Sequence, residues 1–178
     1  MSAQPLRLAL FLASIACCEP APAAAPPEFD IVCRKKDDAV KVALHDGRTV
    51  LTVVSPSGIG SATVTRKDER WPQPLVLRLR LRGLESFAVA AGRTALGGAF
   101  SSHREGGSRL HLRQEGKEGP PLTNDSPYWT DIRAFDAQGN PLPKGLPGEG
   151  GYFEIALPKA LLEEPAKSLN IEWIDFYR

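Results

Sequence analysis

Three arginines occupy every second position near the end of one short apolar segment, a spacing that suits the binding of anions. The segment at residues 75–83 reads LVLRLRLRG, with leucine at the odd positions and Arg78, Arg80 and Arg82 at the even ones. Because alternate residues of a β-strand share a face and lie about 6.6–6.8 Å apart, the three guanidinium groups would line about 14 Å of that face. Such a row could hold an anionic polysaccharide or a lipid headgroup.

The same arginines could instead form ion pairs with carboxylates on neighbouring strands. Glu154 and Glu172 each lie at a polar position of a late, alternating apolar segment. Opposite charges on adjacent strands contribute about 0.2–1 kcal/mol per pair. The chain has 22 basic and 21 acidic residues, and this balance favours pairing over a free cationic row. We therefore predict that Glu154 or Glu172 lies within ion-pair distance of Arg78, Arg80 or Arg82.

A second candidate binding segment is TNDSPYWTD, at residues 123–131. Its adjacent aromatic residues Tyr128 and Trp129 could stack on sugar rings, while Asn124 and Asp131 could bind hydroxyl groups. The alternative is that Trp129 fills one end of the hydrophobic core, since tryptophan usually buries most of its large apolar surface. The predicted ligand-binding residues are Tyr128, Trp129, Asn124, Asp131, Arg78, Arg80 and Arg82.

The remaining polar residues give little support to catalysis. Glu154, Glu172 and Asp175 are the candidates for the two carboxylates of a glycosidase, but the sequence fixes no distance between them. There is no G-x-S-x-G nucleophile motif, and the three histidines have no zinc-binding spacing. We therefore assign no catalytic residue, no metal site and no cofactor.

The elements that would position these side chains are predicted to be strands almost throughout. Two alternating segments, at residues 40–44 and 49–54, flank Asp46-Gly47, and this dipeptide is a strong hairpin signal. Sixteen glycines and sixteen prolines supply many turns, and helix-length amphipathic segments are absent after residue 25. We predict an all-β fold: a two-sheet antiparallel β-sandwich, jelly-roll-like, with at most one short helix near Pro158 to Glu164.

This plan of strands resembles the galactose-binding-like and carbohydrate-binding-module jelly rolls. The resemblance lies in the succession of short strands and turns over residues 40–177. It also rests on the closing segment NIEWIDFYR at residues 170–178. It implies that the final strand is apolar and central in its sheet, and from the strand plan itself we expect the final strand to pair with an early one. It carries no site residue onto this chain.

Residues 1–25 are predicted to be an export signal. A leader containing Arg7 precedes an apolar run at residues 8–18, and small residues suited to signal peptidase follow. Cys17 follows ASIA, which resembles a bacterial lipobox and makes Cys17 a candidate lipidation site, although plain secretion is favoured. Residues 26–38 are predicted to be a Pro/Ala-rich linker and entry segment, and residues 39–178 a single sandwich domain. The mature chain then keeps only Cys33, so an internal disulfide is excluded.

These patterns together predict an exported binding module. Balanced charge argues against a nucleic-acid partner, because phosphate binding requires a basic excess, and we expect no transmembrane span in the mature chain. We expect a periplasmic or extracellular, non-catalytic protein that binds carbohydrate or another envelope component. Two alternatives stay open: an envelope hydrolase or lyase acting on polysaccharide, and a structural domain that docks on an envelope protein.

Overall fold

The computed structural model describes residues 25–81, 83–98, 108–114 and 129–175. Within these ranges the chain forms twelve strands and one short helix, so the prediction of an all-β fold with at most one short helix is confirmed. The strands are β1 (Phe29–Cys33), β2 (Ala39–His45), β3 (Arg48–Val54), β4 (Ile59–Arg66), β5 (Leu75–Arg80), β6 (Ser86–Ala91), β7 (Thr94–Gly98), β8 (Ser108–Gln114), β9 (Trp129–Phe135), β10 (Pro141–Leu142), β11 (Tyr152–Ala156) and β12 (Ser168–Ile174), and helix α1 (Lys159–Leu162) lies between β11 and β12.

The strands hydrogen-bond in the order β1-β4-β12-β6-β7-β8-β9-β11-β5-β3-β2, and β10 pairs with β9 beside this path. We call β1, β4, β12, β6 and β7 the first sheet, and β9, β11, β5, β3 and β2 the second sheet. Strand β8 connects the two because it pairs with both β7 and β9. Buried side chains of both sheets belong to one hydrophobic cluster, as expected of a β-sandwich.

One strand pair departs from the predicted antiparallel arrangement. Strands β3 and β5 are parallel, with Thr49 opposite Leu75 and Val54 opposite Arg80. The chain order explains the difference, because β4 lies between them in sequence but belongs to the first sheet. The chain crosses to the first sheet along β4 and returns, so β3 and β5 run in the same direction.

Period-two alternation determines which side chains enter the core. In β5 the side chains of Leu75, Leu77 and Leu79 are fully buried, whereas Arg80 is exposed. The first sheet contributes an equivalent apolar row from β12, where Leu169, Ile171 and Trp173 are buried. Burial of these large side chains supplies the main stabilisation of the fold, at about 1.5–3 kcal/mol for each aliphatic side chain.

The hairpin between β2 and β3 forms at the predicted Asp-Gly turn. Asp46 has φ of 49° and Gly47 has φ of 72°, so both central residues adopt the left-handed conformation of a type I′ turn. Asparagine, aspartate and glycine tolerate that conformation best, which explains why this dipeptide connects the strands.

The last strand of the described chain pairs with a strand from its first half. Strand β12 pairs with β4 on one side and with β6 on the other, which confirms that the last strand is apolar and pairs with an early one. Helix α1 begins directly after Pro158 and buries Leu161 and Leu162. Strand β1, at residues 29–33 of the predicted entry segment, pairs with β4 along its whole length. In the described part of the chain, no helix has the length and apolar character needed to cross a membrane.

Candidate functional site

The outward side of the second sheet carries a row of charged and polar side chains, which we call the arginine face. Strand register places Arg78 of β5 between Glu154 of β11 and Thr52 of β3. Beyond these, Arg133 of β9 lies opposite Glu154, and Lys41 of β2 lies opposite Thr52. Five neighbouring strands thus present one continuous row across the sheet.

Glu154 is held by two arginines at the centre of this face. Its Oε2 lies 3.0 Å from Nη2 of Arg78, and its Oε1 lies 3.0 Å from Nη1 of Arg48. The side chains of Glu154 and Arg78 are each only 13% exposed, while that of Arg48 is 36% exposed. Both carboxylate oxygens therefore accept charge-assisted hydrogen bonds in a partly desolvated setting, where such bonds are stronger than in water.

An aromatic ring holds Arg78 from its other side. The guanidinium Cζ lies 4.2 Å from the centroid of the Tyr152 ring, a cation–π contact. Tyr152 in turn stacks on Phe135 of the neighbouring strand, with the centroids 5.0 Å apart and the planes 14° from parallel. Because Arg78 is fixed between Glu154 and Tyr152, it is a structural part of the face and is not free to follow a ligand.

Three other cations of the face are open to solvent. Arg80, Arg133 and Lys41 are exposed, and none of them has a carboxylate partner within the part of the chain that the structure describes. Asp131 of β9 is half-buried and already interacts with another group of the protein, so its carboxylate is not free. The described side chains of the face comprise five cations, including Arg48 and Arg78, and two carboxylates. The arginine face is therefore electropositive on a chain of nearly neutral charge.

The predicted pairing of the arginine row is confirmed for one arginine. Arg78 pairs with Glu154, whereas Glu172 lies on β12 of the first sheet, opposite Ser61 and Ala88. Arg80 is exposed, and Arg82 lies outside the described residues. The two explanations of the row thus apply to different members of it, because Arg78 is paired and Arg80 has no carboxylate partner among the described residues.

The aromatic loop remains a prediction. Asn124, Tyr128 and the candidate lipidation residue Cys17 lie outside the described residues. Trp129 is the first residue of β9, where its backbone pairs with that of His111 in β8. Asp131 lies two residues before Arg133 on β9 and therefore shares its face of the strand.

The three candidate catalytic acids occupy three separate environments. Glu154 is clamped by two arginines, and Glu172 is exposed on the first sheet. Asp175 is 3% exposed, and its Oδ1 accepts a hydrogen bond of 3.0 Å from the backbone N–H of Gly83. The three carboxylates are therefore not assembled as a catalytic pair, and Asp175 stabilises a turn.

The thiol of Cys33 lies in a half-buried position beside a buried polar pair. Cys33 of β1 is half-buried, and burial, with the nearby charge of Asp38, raises the pKa of its thiol. Asp38 accepts a hydrogen bond of 2.7 Å from the buried Ser55 hydroxyl. A thiol with a raised pKa is a weak nucleophile at neutral pH. Among the described residues, histidine, cysteine and carboxylate side chains do not gather into a group of three or more that could hold a metal ion.

Sequence reasoning missed Arg48, Tyr152 and Phe135 as members of the site. Tyr152 has the parity of Glu154, which was an available signal for its place on the outward face. Arg48 reaches Glu154 only because β3 lies parallel to β5, and the sequence contains no signal for that crossover.

Comparison with known proteins finds no family model, no curated protein and no solved structure that matches this chain.

Proposed function

We propose that this chain is an exported, non-catalytic binding module whose arginine face holds an anionic polysaccharide of the cell envelope. The observation that carries the proposal is a set of three exposed cations, Arg80, Arg133 and Lys41, around the fixed Glu154 pair. None of the three has a carboxylate partner among the described residues. The export signal predicted from residues 1–25 supports a ligand of the envelope.

The layout of the cations supports an extended ligand that crosses the strands. Neighbouring strands lie about 4.7–4.9 Å apart, so Lys41 and Arg133, on strands four positions apart, are separated by roughly 19 Å. Arg80 lies about 6.7 Å along β5 from the central row. A chain of acidic sugars laid across β9, β11, β5, β3 and β2 could contact all three cations, whereas a single small anion could contact only one.

Charge and hydrogen bonding, rather than ring stacking, would recognise this ligand. The Tyr152 ring is covered by Arg78 and stacked on Phe135, and the residue is only 9% exposed, so it offers little surface for stacking on a sugar. Arginine presents a planar fork of donors that matches a carboxylate with two parallel hydrogen bonds. We therefore expect uronate-containing glycans to bind and neutral glycans of similar length to bind weakly.

Calorimetric titration of the purified chain with an acidic and a neutral oligosaccharide tests the proposal. The double variant Arg80→Gln/Arg133→Gln should bind the acidic glycan about tenfold more weakly or worse, because it loses two charged donors. The matched control, Arg34→Gln/Lys36→Gln, removes the same charge from exposed residues away from the face and should bind as the parent does. Equal binding by all three proteins, or no binding of acidic glycans by the parent, would overturn the proposal.

A further inference from the structure

A cleft lined by residues outside the arginine face is a second candidate site. It lies between the β4–β5 connection and helix α1 and has a volume of about 670 Å³. Small-molecule sites typically occupy about 300–1,000 Å³, so the cleft can hold a ligand of monosaccharide size. Its charged lining residues are Arg66, Glu69, Arg70, Lys159, Glu163 and Glu164.

Part of this charge is already neutralised within the protein. Lys159 and Glu163 form an ion pair of 3.3 Å along α1. Glu164 accepts a hydrogen bond from the hydroxyl of Thr94. Arg66 and Arg70 have no carboxylate partner in the described ranges, and Glu69 has no cationic one. The Thr94 hydroxyl carries no charge, so two guanidinium groups and the carboxylates of Glu69 and Glu164 are left to face an incoming ligand.

Arg66 has hydrogen-bonding capacity that the described residues do not use. Its Nη1 donates to the backbone carbonyl of Asp68, which holds the side chain over the start of the loop. Its Nε is buried and, among the described residues, meets no acceptor. A buried N–H without a partner is unfavourable, so the described part of the protein leaves the Arg66 guanidinium group incompletely hydrogen-bonded.

The floor of the cleft is rigid. Trp71 is 4% exposed, stacks on Phe29 with the ring centroids 5.8 Å apart, and donates its indole N–H to the carbonyl of Ala166 at 3.3 Å. The last contact ties the β4–β5 connection to the segment that follows α1. The two loops that border the cleft are therefore held at a fixed separation, which lowers the entropy cost of ligand binding.

We propose that this cleft binds a small ligand bearing an oxyanion, a carboxylate or a phosphate, with Arg66 and Arg70 on the anion. Glu69 and the amide of Gln73 complete the lining as acceptors and donors for hydroxyl groups of the same ligand. This site is independent of the arginine face, so either proposal can fail alone.

Nuclear magnetic resonance titration of the ¹⁵N-labelled full chain tests the site, with the Trp71 indole N–H as a local reporter. The probes are glucuronate, glucose 6-phosphate and glucose, which share a ring and differ in the anion. We expect saturable shifts of the Trp71 signal with one or both anions and none with glucose. Binding of only one anion identifies the carboxylate or the phosphate as the source of the oxyanion.

Arg70→Gln is the decisive variant because Arg70 is exposed and its loss should leave folding intact. Arg70→Gln should weaken anion binding about tenfold or more, as should Arg66→Gln, whereas Arg34→Gln should leave it unchanged. The proposal is overturned if neither anion shifts the Trp71 signal, if glucose does so equally, or if Arg70→Gln binds as the parent does.

Discussion

The guanidinium group of Arg78 lies between the carboxylate of Glu154 and the ring of Tyr152, at 3.0 Å from Oε2 and 4.2 Å from the ring centroid. Its Nε is buried and has no hydrogen-bond partner among the described residues, so its stability there depends on these two contacts. The arginine face is accordingly built around a charge that is neutralised inside the protein.

Replacing Glu154 by glutamine should therefore destabilise the fold. The substitution keeps the shape but leaves Arg78 and Arg48 side by side without a counter-charge. We expect a loss of about 1–3 kcal/mol in the free energy of unfolding, below the range for a fully buried pair because Arg48 is partly solvated. Urea denaturation at neutral pH measures this loss.

The control for this variant is Glu172→Gln, an exposed carboxylate on the first sheet. It should change the free energy of unfolding by less than about 0.5 kcal/mol. If both glutamine variants unfold at the same urea concentration, the Glu154 pair is not a stabilising element.

Alternation along single strands was the part of the fold that the sequence could predict. The leucines of β5 and the Asp46-Gly47 hairpin follow from local rules of parity and turn chemistry, and so does the polar parity of Glu154. The β5–β11 pairing then brings Arg78 and Glu154 together, as the complementary charges predicted.

The second partner of Glu154 depends on chain topology. Arg48 lies thirty residues before Arg78 in the sequence and enters the site through the parallel pairing of β3 with β5. That pairing results from the crossover of β4 to the first sheet, a long-range choice that no local pattern encodes. The cleft beside α1 was missed for the same reason, because Arg66 and Glu163 meet there only after β12 has paired with β4.

Gly60 is expected to tolerate no side chain. On β4 it lies opposite Trp173, and a Cβ atom at this position would overlap the Asp38 carboxylate and the Trp173 ring, both of them buried. Gly60→Ala should lower the free energy of unfolding by about 1–3 kcal/mol, the usual cost of overpacking a core. Thermal or urea denaturation measures the effect.

Ser61→Ala, at the next and half-buried position of β4, is the control. Its smaller side chain creates no overlap, and its unfolding should stay close to that of the parent. A Gly60→Ala protein as stable as the Ser61→Ala protein would show that Asp38 and Trp173 can move apart without cost.

The Cys33 thiol should react slowly with alkylating agents. Burial and, to a lesser extent, the Asp38 carboxylate raise the pKa of the thiol, so the reactive thiolate is scarce near neutral pH. Asp38→Asn removes the negative charge and should move the pH midpoint of alkylation downwards, though not to the value of a free cysteine, since the burial remains. Mass spectrometry of the Cys33 peptide, sampled during iodoacetamide treatment across a pH series, follows this residue separately from Cys17 and Cys18.

Asp37→Asn provides the matched control, because Asp37 is exposed and adjacent in sequence. Its alkylation midpoint should equal that of the parent. An identical midpoint in the Asp38→Asn protein would rule out the carboxylate as a cause of the raised pKa.

Asp136 should titrate below the ordinary range for aspartate. The side-chain amide of Asn140, at 2.8 Å, is the main cause of the lowered pKa, and the backbone N–H groups of Asn140, Gln138 and Gly139 add to it. Because the pKa in the folded state is depressed, these bonds stabilise the turn at pH values above the pKa of the unfolded state. The stabilisation is lost as the pH falls through the folded-state pKa.

Asn140→Ala removes the amide donor while its backbone N–H remains, so the pKa of Asp136 should rise part of the way towards its ordinary value. Gln138→Ala, whose contact with Asp136 is through its backbone N–H alone, should leave the pKa where it is. Nuclear magnetic resonance over an acid titration, through the carboxyl ¹³C chemical shift of Asp136, measures the pKa of Asp136 in the parent, in Asn140→Ala and in Gln138→Ala. A pKa that stays at the parent value in Asn140→Ala would assign the depression to the backbone donors, whereas an equal rise in both variants would point to a general loosening of the turn.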